Sequence, residues 1–208
     1  MHRCMWMMVV GWAVGVMAFT LLINSDRSRA SADEPPAAGK KKPDVGYYPT
    51  TQDIVERMLE LARVAPRDTL VDLGCGDGRF VITAARKYGC RATGYEIDPK
   101  LIEQGRKQIR EEKLEALARI EDRDLFTVDL SDTSVVMLFL LPKMNEKLVP
   151  QFRKMRPGSR IIAHEFEIPG LKPDRELVLV STVDKSEHVI FVYSHPFPAA
   201  AAKSAPDR

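Results

Sequence analysis

The sequence predicts an α/β fold, in which five strands with crossover helices form a mostly parallel sheet and two further strands close it as an antiparallel hairpin. From Thr69 onward, short apolar runs alternate with segments of helical periodicity, which is the pattern of strand–helix–strand units. The last two apolar runs, residues 177–183 and 189–193, have no helix between them. We therefore expect a Rossmann-like, doubly wound, seven-stranded domain, preceded by an N-terminal hydrophobic helix.

The chain of 208 residues is long enough for one globular domain with an extension at each end. Positions 4–25 carry no charge, so residues 1–25 are predicted to be a transmembrane anchor or a signal segment. Residues 26–45 are rich in Ser, Ala, Pro, Lys and acids and are predicted to be a disordered linker. The folded domain is expected over residues 46–195, followed by a disordered, Ala/Pro-rich tail at residues 196–208.

The charges around the apolar segment favour a membrane anchor that leaves the domain in the cytoplasm. Arg3 precedes the segment, whereas Arg27, Arg29 and the three lysines at 40–42 follow it, as the positive-inside rule expects of a cytoplasmic flank. The alternative is export after cleavage near Ala32, where residues 30–32 form an A-x-A site. The sequence leaves both alternatives open.

Net charge, cysteine content and histidine spacing indicate which partners, which redox compartment and which metal sites to expect. The 31 basic and 29 acidic residues give a net charge of +2, so we expect no nucleic-acid partner. Cys4, Cys75 and Cys90 form neither an even disulfide framework nor a C-x-x-C pair, which favours a reducing compartment. No metal site is expected, because His164 and Glu165 are neighbours on a predicted strand and should point to opposite faces.

Gly74, Gly76 and Gly78 stand at alternate positions between the first apolar run and a helical pattern. Glycines in such a turn adopt backbone angles closed to other residues, so a ligand can lie directly against the main chain. Glu96 follows at the carboxyl end of the next predicted strand, where an acid can accept hydrogen bonds from both hydroxyls of a ribose. Together these features predict a cofactor that contains a nucleoside.

The spacing and charge of the glycine motif indicate which cofactor. The motif reads G-x-G-x-G rather than the dinucleotide pattern G-x-G-x-x-G, and Asp72 and Asp77 flank it. Two acids would repel a pyrophosphate but suit a ligand with an ammonium and a sulfonium. Residues 71–78 resemble motif I of class I S-adenosylmethionine (SAM) methyltransferases, and Glu96 matches that family's ribose acid. This resemblance implies SAM as the cofactor, and it implies that Asp124 reaches the adenine amino group.

Further segments resemble a narrower family, the lysine methyltransferases of the ATP synthase c-subunit and the adenine nucleotide translocase, with their bacterial relatives. The matching segments lie at residues 48–50, 72–79, 96–99, 124–126, 140–142 with Asn145, and 164–166. The resemblance implies a protein-lysine N-methyltransferase that acts on a membrane-associated protein. The alternatives are a SAM-dependent methyltransferase of a small molecule or lipid and, more remotely, a non-catalytic nucleotide-binding module.

The motifs and the resemblance together indicate two sets of site residues. The predicted cofactor-binding residues are Thr50, Asp72, Gly74, Cys75, Gly76, Asp77, Gly78, Glu96, Ile97, Asp124 and Leu125. The candidate substrate-channel residues are Tyr47, Tyr48, Pro142, Asn145, His164 and Phe166, with Tyr193 as a further aromatic wall. A desolvated, aromatic channel would lower the pKa of an acceptor lysine. The sequence identifies no general base.

Overall fold

The computed structural model describes residues 47–198. The predicted anchor or signal segment (1–25), the predicted linker (26–45) and residues 199–208 of the predicted tail lie outside the described part. Among residues 47–198, no helix combines the length and the apolarity that crossing a bilayer requires.

Within residues 47–198, seven strands form one mixed sheet in the order β3-β2-β1-β4-β5-β7-β6. They are β1 (Thr69–Leu73), β2 (Arg91–Glu96), β3 (Ala118–Asp122), β4 (Val135–Leu138), β5 (Arg160–His164), β6 (Arg175–Val180) and β7 (Glu187–Ser194). The first five strands are parallel, whereas β7 runs antiparallel to both β5 and β6. The prediction of a doubly wound, mostly parallel sheet with a C-terminal antiparallel hairpin is therefore confirmed.

The two faces of the sheet are covered differently. The helices α1 (Gln52–Leu61), α2 (Arg79–Tyr88) and α3 (Pro99–Glu111) bury their apolar sides in one core layer. The other face is covered by α4 (Pro142–Phe152) and by loop residues that include Ile168, Leu171 and Phe197. The strand order reverses between β1 and β4, and in open α/β sheets ligands bind at the carboxyl ends of the strands beside such a reversal.

The boundaries around the fourth strand differ from the predicted ones. The apolar run at residues 134–141 is predicted to be one long strand, but β4 spans only Val135–Leu138. Pro142 stands in the first turn of α4, because proline has no N–H to lose there and its fixed φ suits a helix start. Residues 139–141 therefore lie between strand and helix at the carboxyl edge of the sheet.

The fifth strand and the end of the domain also differ from expectation. The strand predicted over residues 160–166 ends at His164, because Glu165 takes a left-handed conformation with φ of 62°. At the C-terminus the packed chain reaches Pro198, three residues past the predicted boundary. Phe197 is buried in the second core layer, and the backbone N–H of Lys172 donates to the carbonyl of Pro198 at 2.8 Å.

Candidate active site

A cleft opens at the carboxyl edges of β1, β2 and β4, beside the reversal of strand order. Its walls come from the segment before α1, from the loops after these three strands, and from the loop after β3. The residues that line it are Tyr47, Tyr48, Pro49, Thr50, Asp72, Gly74, Cys75, Gly76, Asp77, Arg79, Phe80, Tyr95, Glu96, Ile97, Asp98, Leu101, Arg123, Asp124, Leu125, Phe126, Phe139, Leu140 and Met144.

The glycine loop, residues 74–78, is held against the end of β2 by backbone hydrogen bonds. The N–H groups of Gly74 and Cys75 both donate to the carbonyl of Tyr95, at 2.9 and 3.1 Å. Gly76 has φ of +54°, and a Cβ at this position would lie 2.5 Å from the ring of Tyr47. The loop therefore requires glycine at position 76 for its conformation and for the close approach of an aromatic ring.

Glu96 is locked in place at the end of β2. Its Oε2 accepts the N–H of Gly76 at 2.9 Å, and its Oε1 accepts the N–H groups of Ile97 and Asp98 at 2.7 and 3.0 Å. A carboxylate has about four lone-pair sites, so acceptor capacity remains for a ligand in the cleft. By this count about one acceptor site remains, on Oε2, which fits a hydrogen bond from a ribose hydroxyl.

Asp72 is the buried acid at the base of the cleft and is only 4% exposed. Its Oδ2 has no hydrogen-bond partner among residues 47–198. Burial, together with the nearby charges of Glu96 and Asp77, raises the pKa of Asp72 to about 8. A buried, unpartnered carboxylate is costly unless a donor or a cation meets it, so the base of the cleft suits a ligand with a cationic group.

Asp77 plays a different part from Asp72, although both acids flank the glycine motif. Arg79 pairs with it through Nη2 to Oδ2 at 2.6 Å and Nε to Oδ1 at 2.9 Å. The same guanidinium donates to the carbonyl of Thr50 and, at 3.2 Å, to the hydroxyl of Tyr47. Arg79, oriented by Asp77, thus holds the segment before α1 over the glycine loop, and the charge of Asp77 is paired.

The predicted cofactor-binding residues are brought together with one exception. Ten of the eleven line the cleft, and Gly78 does not. Gly78 is the left-handed N-cap of α2, and a Cβ on it would lie 2.7 Å from the side chain of Ile120. Its lack of a side chain therefore serves the packing of α2 near β3 rather than a ligand contact.

The candidate substrate-channel residues are mostly not brought together. Tyr47 and Tyr48 line the cleft, whereas Pro142, Asn145, His164 and Phe166 are not among its lining residues. Asn145 is fully buried, and its Nδ2 lies within hydrogen-bond distance of the carbonyls of Leu140, Phe166 and Glu167 at 3.2–3.4 Å. It therefore ties α4 to the two loops beside it.

Tyr193 is also a core residue and not a channel wall. It is fully buried on β7, and its hydroxyl accepts the backbone N–H of Ile168 at 2.8 Å. Tyr193 is predicted to line the channel because it is aromatic. In the sheet, however, its side chain faces the core layer that α4 covers.

His164 and Glu165 do not point to opposite faces, so that prediction is wrong. The left-handed backbone at Glu165 turns its side chain back, and its Oε1 lies 3.2 Å from Nε2 of His164. The Nδ1 of His164 lies 3.1 Å from the hydroxyl of Thr50, a residue of the cleft wall. Burial, and then the nearby His188, lower the pKa of His164 to about 4.

Several lining residues were missed by sequence reasoning. Phe126 and Phe139 add aromatic surface, and Arg79 fastens the cleft's edge. Arg79 stands directly after the glycine motif, so its position could have indicated a role. The position of Phe139 gave no indication of a role, because the apolar residues 134–141 are typical of one continuous buried strand. Phe139 lines the cleft because β4 ends at Leu138, one residue before it.

The sequence matches a known family over most of the residues that build this cleft. A family model described as the ANTKMT methyltransferase domain matches residues 72–175. A protein-lysine N-methyltransferase of Saccharolobus islandicus is 40% identical over 153 residues, which are 73% of this chain and 94% of that protein. The human lysine N-methyltransferase of the ATP synthase c-subunit is 36% identical over 129 residues, 62% of this chain. That match spans only 54% of the human protein's length.

Solved structures of other methyltransferases are similar to this chain. An RNA methyltransferase from Salinibacter ruber, crystallised with S-adenosyl-L-homocysteine, is 38% identical with a TM-score of 0.65, covering 77% of this chain and 98% of that one. A geranyl diphosphate methyltransferase in complex with SAM, only 17% identical with a TM-score of 0.55, shares the fold. SAM is the cofactor whose ammonium, sulfonium and ribose suit Asp72, the glycine loop and Glu96. The chain therefore belongs to the ANTKMT methyltransferase domain family and is a SAM-dependent methyltransferase.

Proposed function

We propose that this enzyme is a protein-lysine N-methyltransferase, and that its acceptor is a lysine of a membrane-associated protein. The observation that carries the proposal is the 40% identity to a protein named as a protein-lysine N-methyltransferase, over 94% of that protein. The relatives named for the ATP synthase c-subunit and for the adenine nucleotide translocase support the same acceptor chemistry.

The mouth of the cleft suits a lysine side chain. Tyr47 and Tyr48 stand at its edge, with Tyr48 77% exposed, and Phe126 and Phe139 add apolar lining. A lysine must lose its proton before it can attack a methyl group, and a desolvated aromatic passage lowers the pKa of its ammonium. Bound SAM supplies a methyl group on a sulfonium, whose leaving group is neutral.

The residues of the cleft act mainly by alignment. Glu96 and the glycine loop would hold the ribose part of the cofactor, and the carboxyl of Asp72 would face its cationic groups. In-line transfer requires the nucleophile, the methyl carbon and the sulfur to be held in a row, and such positioning supplies much of a rate enhancement. No residue is assigned as a general base, because a neutral amine reaching the site needs none.

The acceptor class can be tested with labelled SAM. Purified full-length enzyme is incubated with an extract that has been separated into membrane proteins, soluble proteins, RNA and lipids. We expect label in membrane protein, recovered as methyllysine after acid hydrolysis. A Glu96→Ala variant, which removes the acid proposed to hold the ribose, should transfer no label while circular dichroism shows that it is folded.

The other fractions decide between the alternatives. Label in the lipid or small-molecule extract would favour the runner-up function. Label in RNA would contradict the proposal and would match the acceptor for which the Salinibacter ruber enzyme is named. Methyllysine label found only in soluble protein would support lysine methylation but contradict a membrane-associated acceptor.

We further propose that residues 1–25 anchor the enzyme to a membrane with its domain in the cytoplasm. The uncharged stretch at positions 4–25 and the basic residues that follow it support this proposal. Mass measurement of the native protein from its membrane fraction should find the intact N-terminus. A chain that begins near Asp33 would instead indicate export after signal cleavage.

A further inference from the structure

Two histidines and a glutamate converge beside the cleft, at the junction of β5 and β7. The three atoms are Nε2 of His164, Nδ1 of His188 and Oε1 of Glu165. The two nitrogens lie 2.9 Å apart, and the carboxylate oxygen lies 3.2 Å from the first and 3.3 Å from the second. We propose that this triangle, the His164–Glu165–His188 site, binds a divalent transition-metal ion of the Zn²⁺ class.

The distances are those of ligands around a tetrahedral ion. Zinc binds histidine nitrogen at about 2.0–2.1 Å and carboxylate oxygen at about 2.0–2.2 Å, so two ligands of one tetrahedron are about 3.3 Å apart. The three observed separations fall just at or below that value. An ion can therefore reach all three atoms with small movements of the side chains, and a water can take the fourth position.

With Glu165 ionised and both rings neutral, hydrogen bonds give no proton to at least one of the three close pairs of atoms. A neutral histidine has one ring N–H, and an ionised carboxylate only accepts. If one proton lies between the two facing nitrogens, the accepting nitrogen uses its single lone pair for that bond, and no proton lies between it and the oxygen of Glu165, 3.2–3.3 Å away. If both facing nitrogens carry protons, two N–H groups oppose each other at 2.9 Å. A cation resolves the conflict, because it accepts lone pairs from all three atoms.

The ring nitrogens that face away from the triangle also have partners. Nδ1 of His164 lies 3.1 Å from the hydroxyl of Thr50. Nε2 of His188 lies 3.0 Å from the hydroxyl of Ser186 and 3.3 Å from the carboxylate of Asp184. Metal-binding histidines characteristically donate their second N–H to such groups, which orient the ring and raise its basicity.

The surroundings give an ion a way in and a structural task. His164 is 1% exposed, whereas the side chain of Glu165 is 30% exposed, so the site is open on the glutamate's side. The ion would join the end of β5 to the start of β7, and through Thr50 it would steady the wall of the cleft. Metal binding at this site does not depend on the identity of the methyl acceptor.

Zinc titration of the full-length, untagged protein tests the site. After removal of metal with a chelator, calorimetry with ZnCl₂ should show one ion per chain, and a thermal scan should show a rise in Tm with zinc. Glu165→Gln removes the carboxylate but keeps the shape, and we expect it to weaken zinc binding about 100-fold or more. Asp184→Asn removes only an outer partner and should weaken binding about tenfold.

Glu187→Gln is the matched control, because Glu187 is an exposed acid next to His188 on the same strand. It should bind zinc as the unaltered protein does. A Co²⁺-loaded sample should show visible bands of low-coordinate N/O ligation without a thiolate charge-transfer band, which distinguishes binding at this site from binding at Cys4, Cys75 or Cys90. The proposal is overturned if no stoichiometric zinc binds, if Glu165→Gln binds it unchanged, or if the thiolate band appears.

Discussion

Asp72, Asp77 and Glu96 are three acids of one cleft that the structure puts to three different uses. Asp77 is paired with Arg79, and Glu96 accepts three backbone N–H groups. Asp72 alone of the three keeps a buried oxygen without a partner among the described residues, and its pKa is raised to about 8. Burial of this acid costs stability in the absence of a ligand, which is common in preformed binding sites.

We expect Asp72→Asn to raise the Tm of the cofactor-free protein. Between the unfolded pKa near 4 and the folded pKa of about 8, folded Asp72 holds a proton that the unfolded chain releases, so stability falls as pH rises. The Tm advantage of the variant should therefore grow from pH 5 to pH 8 in thermal scans. Asp132→Asn, at an exposed position, is the control; identical pH profiles for all three proteins would contradict the assigned pKa.

The same carboxylate should make cofactor binding depend on pH. A cationic ligand favours ionised Asp72, so below pH 8 binding must first release its proton. Calorimetry of the unaltered protein should show the Kd for SAM weakening by up to about tenfold per pH unit from pH 8 to pH 6. In Asp72→Asn the Kd should be weak and nearly constant. If the Kd of the unaltered protein for SAM did not change with pH, Asp72 would not be the group that contacts the cationic part of SAM.

Gly76→Ala tests the close approach of Tyr47 to the glycine loop. The added Cβ would lie 2.5 Å from the ring and would sit at a positive φ, so the ring must move and the loop is strained. We expect a folded protein whose Kd for SAM is at least about tenfold weaker, a change of roughly 1.4 kcal/mol. Gly89→Ala also has a positive φ but meets nothing within 4 Å, so it should lose stability without losing affinity.

At the scale of elements, the segment before β1 and the start of β5 are fastened by polar contacts between distant residues. Arg160 on β5 pairs with Asp68 before β1 at 2.6 Å, and its guanidinium also reaches the carbonyls of Ala62 and Arg63. Burial would raise the pKa of Asp68, but its hydrogen bonds with Arg160, Ser134 and Ala65 lower it overall. The pair therefore joins three parts of the chain on one side of the sheet.

Removing the carboxylate of Asp68 should lower the free energy of unfolding substantially. Asp68→Asn leaves a mostly buried guanidinium without its counter-charge, and we expect a loss of about 3 kcal/mol in denaturant unfolding. Because the folded pKa of Asp68 is lowered, its contribution should be present above pH 4 and disappear in more acidic solution. Glu60→Gln, in the exposed pair with Arg57, should cost less than about 1 kcal/mol. If Asp68→Asn and Glu60→Gln lowered the free energy of unfolding equally, burial of the Asp68–Arg160 pair would not explain its contribution.

At the scale of the whole molecule, the second face of the sheet is covered, among residues 47–198, by one helix, by loops and by the segment after β7. Phe197 packs into that layer, so the segment after β7 belongs to the folded unit. A chain that ends at residue 198 should unfold at the same denaturant concentration as the full chain. A chain that ends at 195 should lose about 3 kcal/mol, the cost of deleting a buried phenylalanine. Equal stability of the two truncations would place the boundary at 195.

How much could be foreseen differs from residue to residue. The glycine motif and Glu96 are close in sequence to the strands that carry them, so their meeting at one sheet edge follows from the parallel strand order. Asn145 and Tyr193 also matched a pattern, but their roles depend on which layer they face, and that is decided by partners more than 20 residues away. His164 and Glu165 point the same way because Glu165 has a positive φ. The pattern of apolar and polar residues in the sequence does not predict that angle.

The sequence alone therefore determined the α/β class, the strand–loop–helix that forms the cleft and the acids that surround it, because local spacing and hydrophobic period control those features. Only the tertiary structure decided that Asp77 pairs with Arg79 while an oxygen of Asp72 has no partner among residues 47–198, and that His188 from β7 meets His164 and Glu165 from the end of β5. These outcomes depend on contacts between residues far apart in the chain. Burial and charge pairing arise only when the sheet brings such residues together.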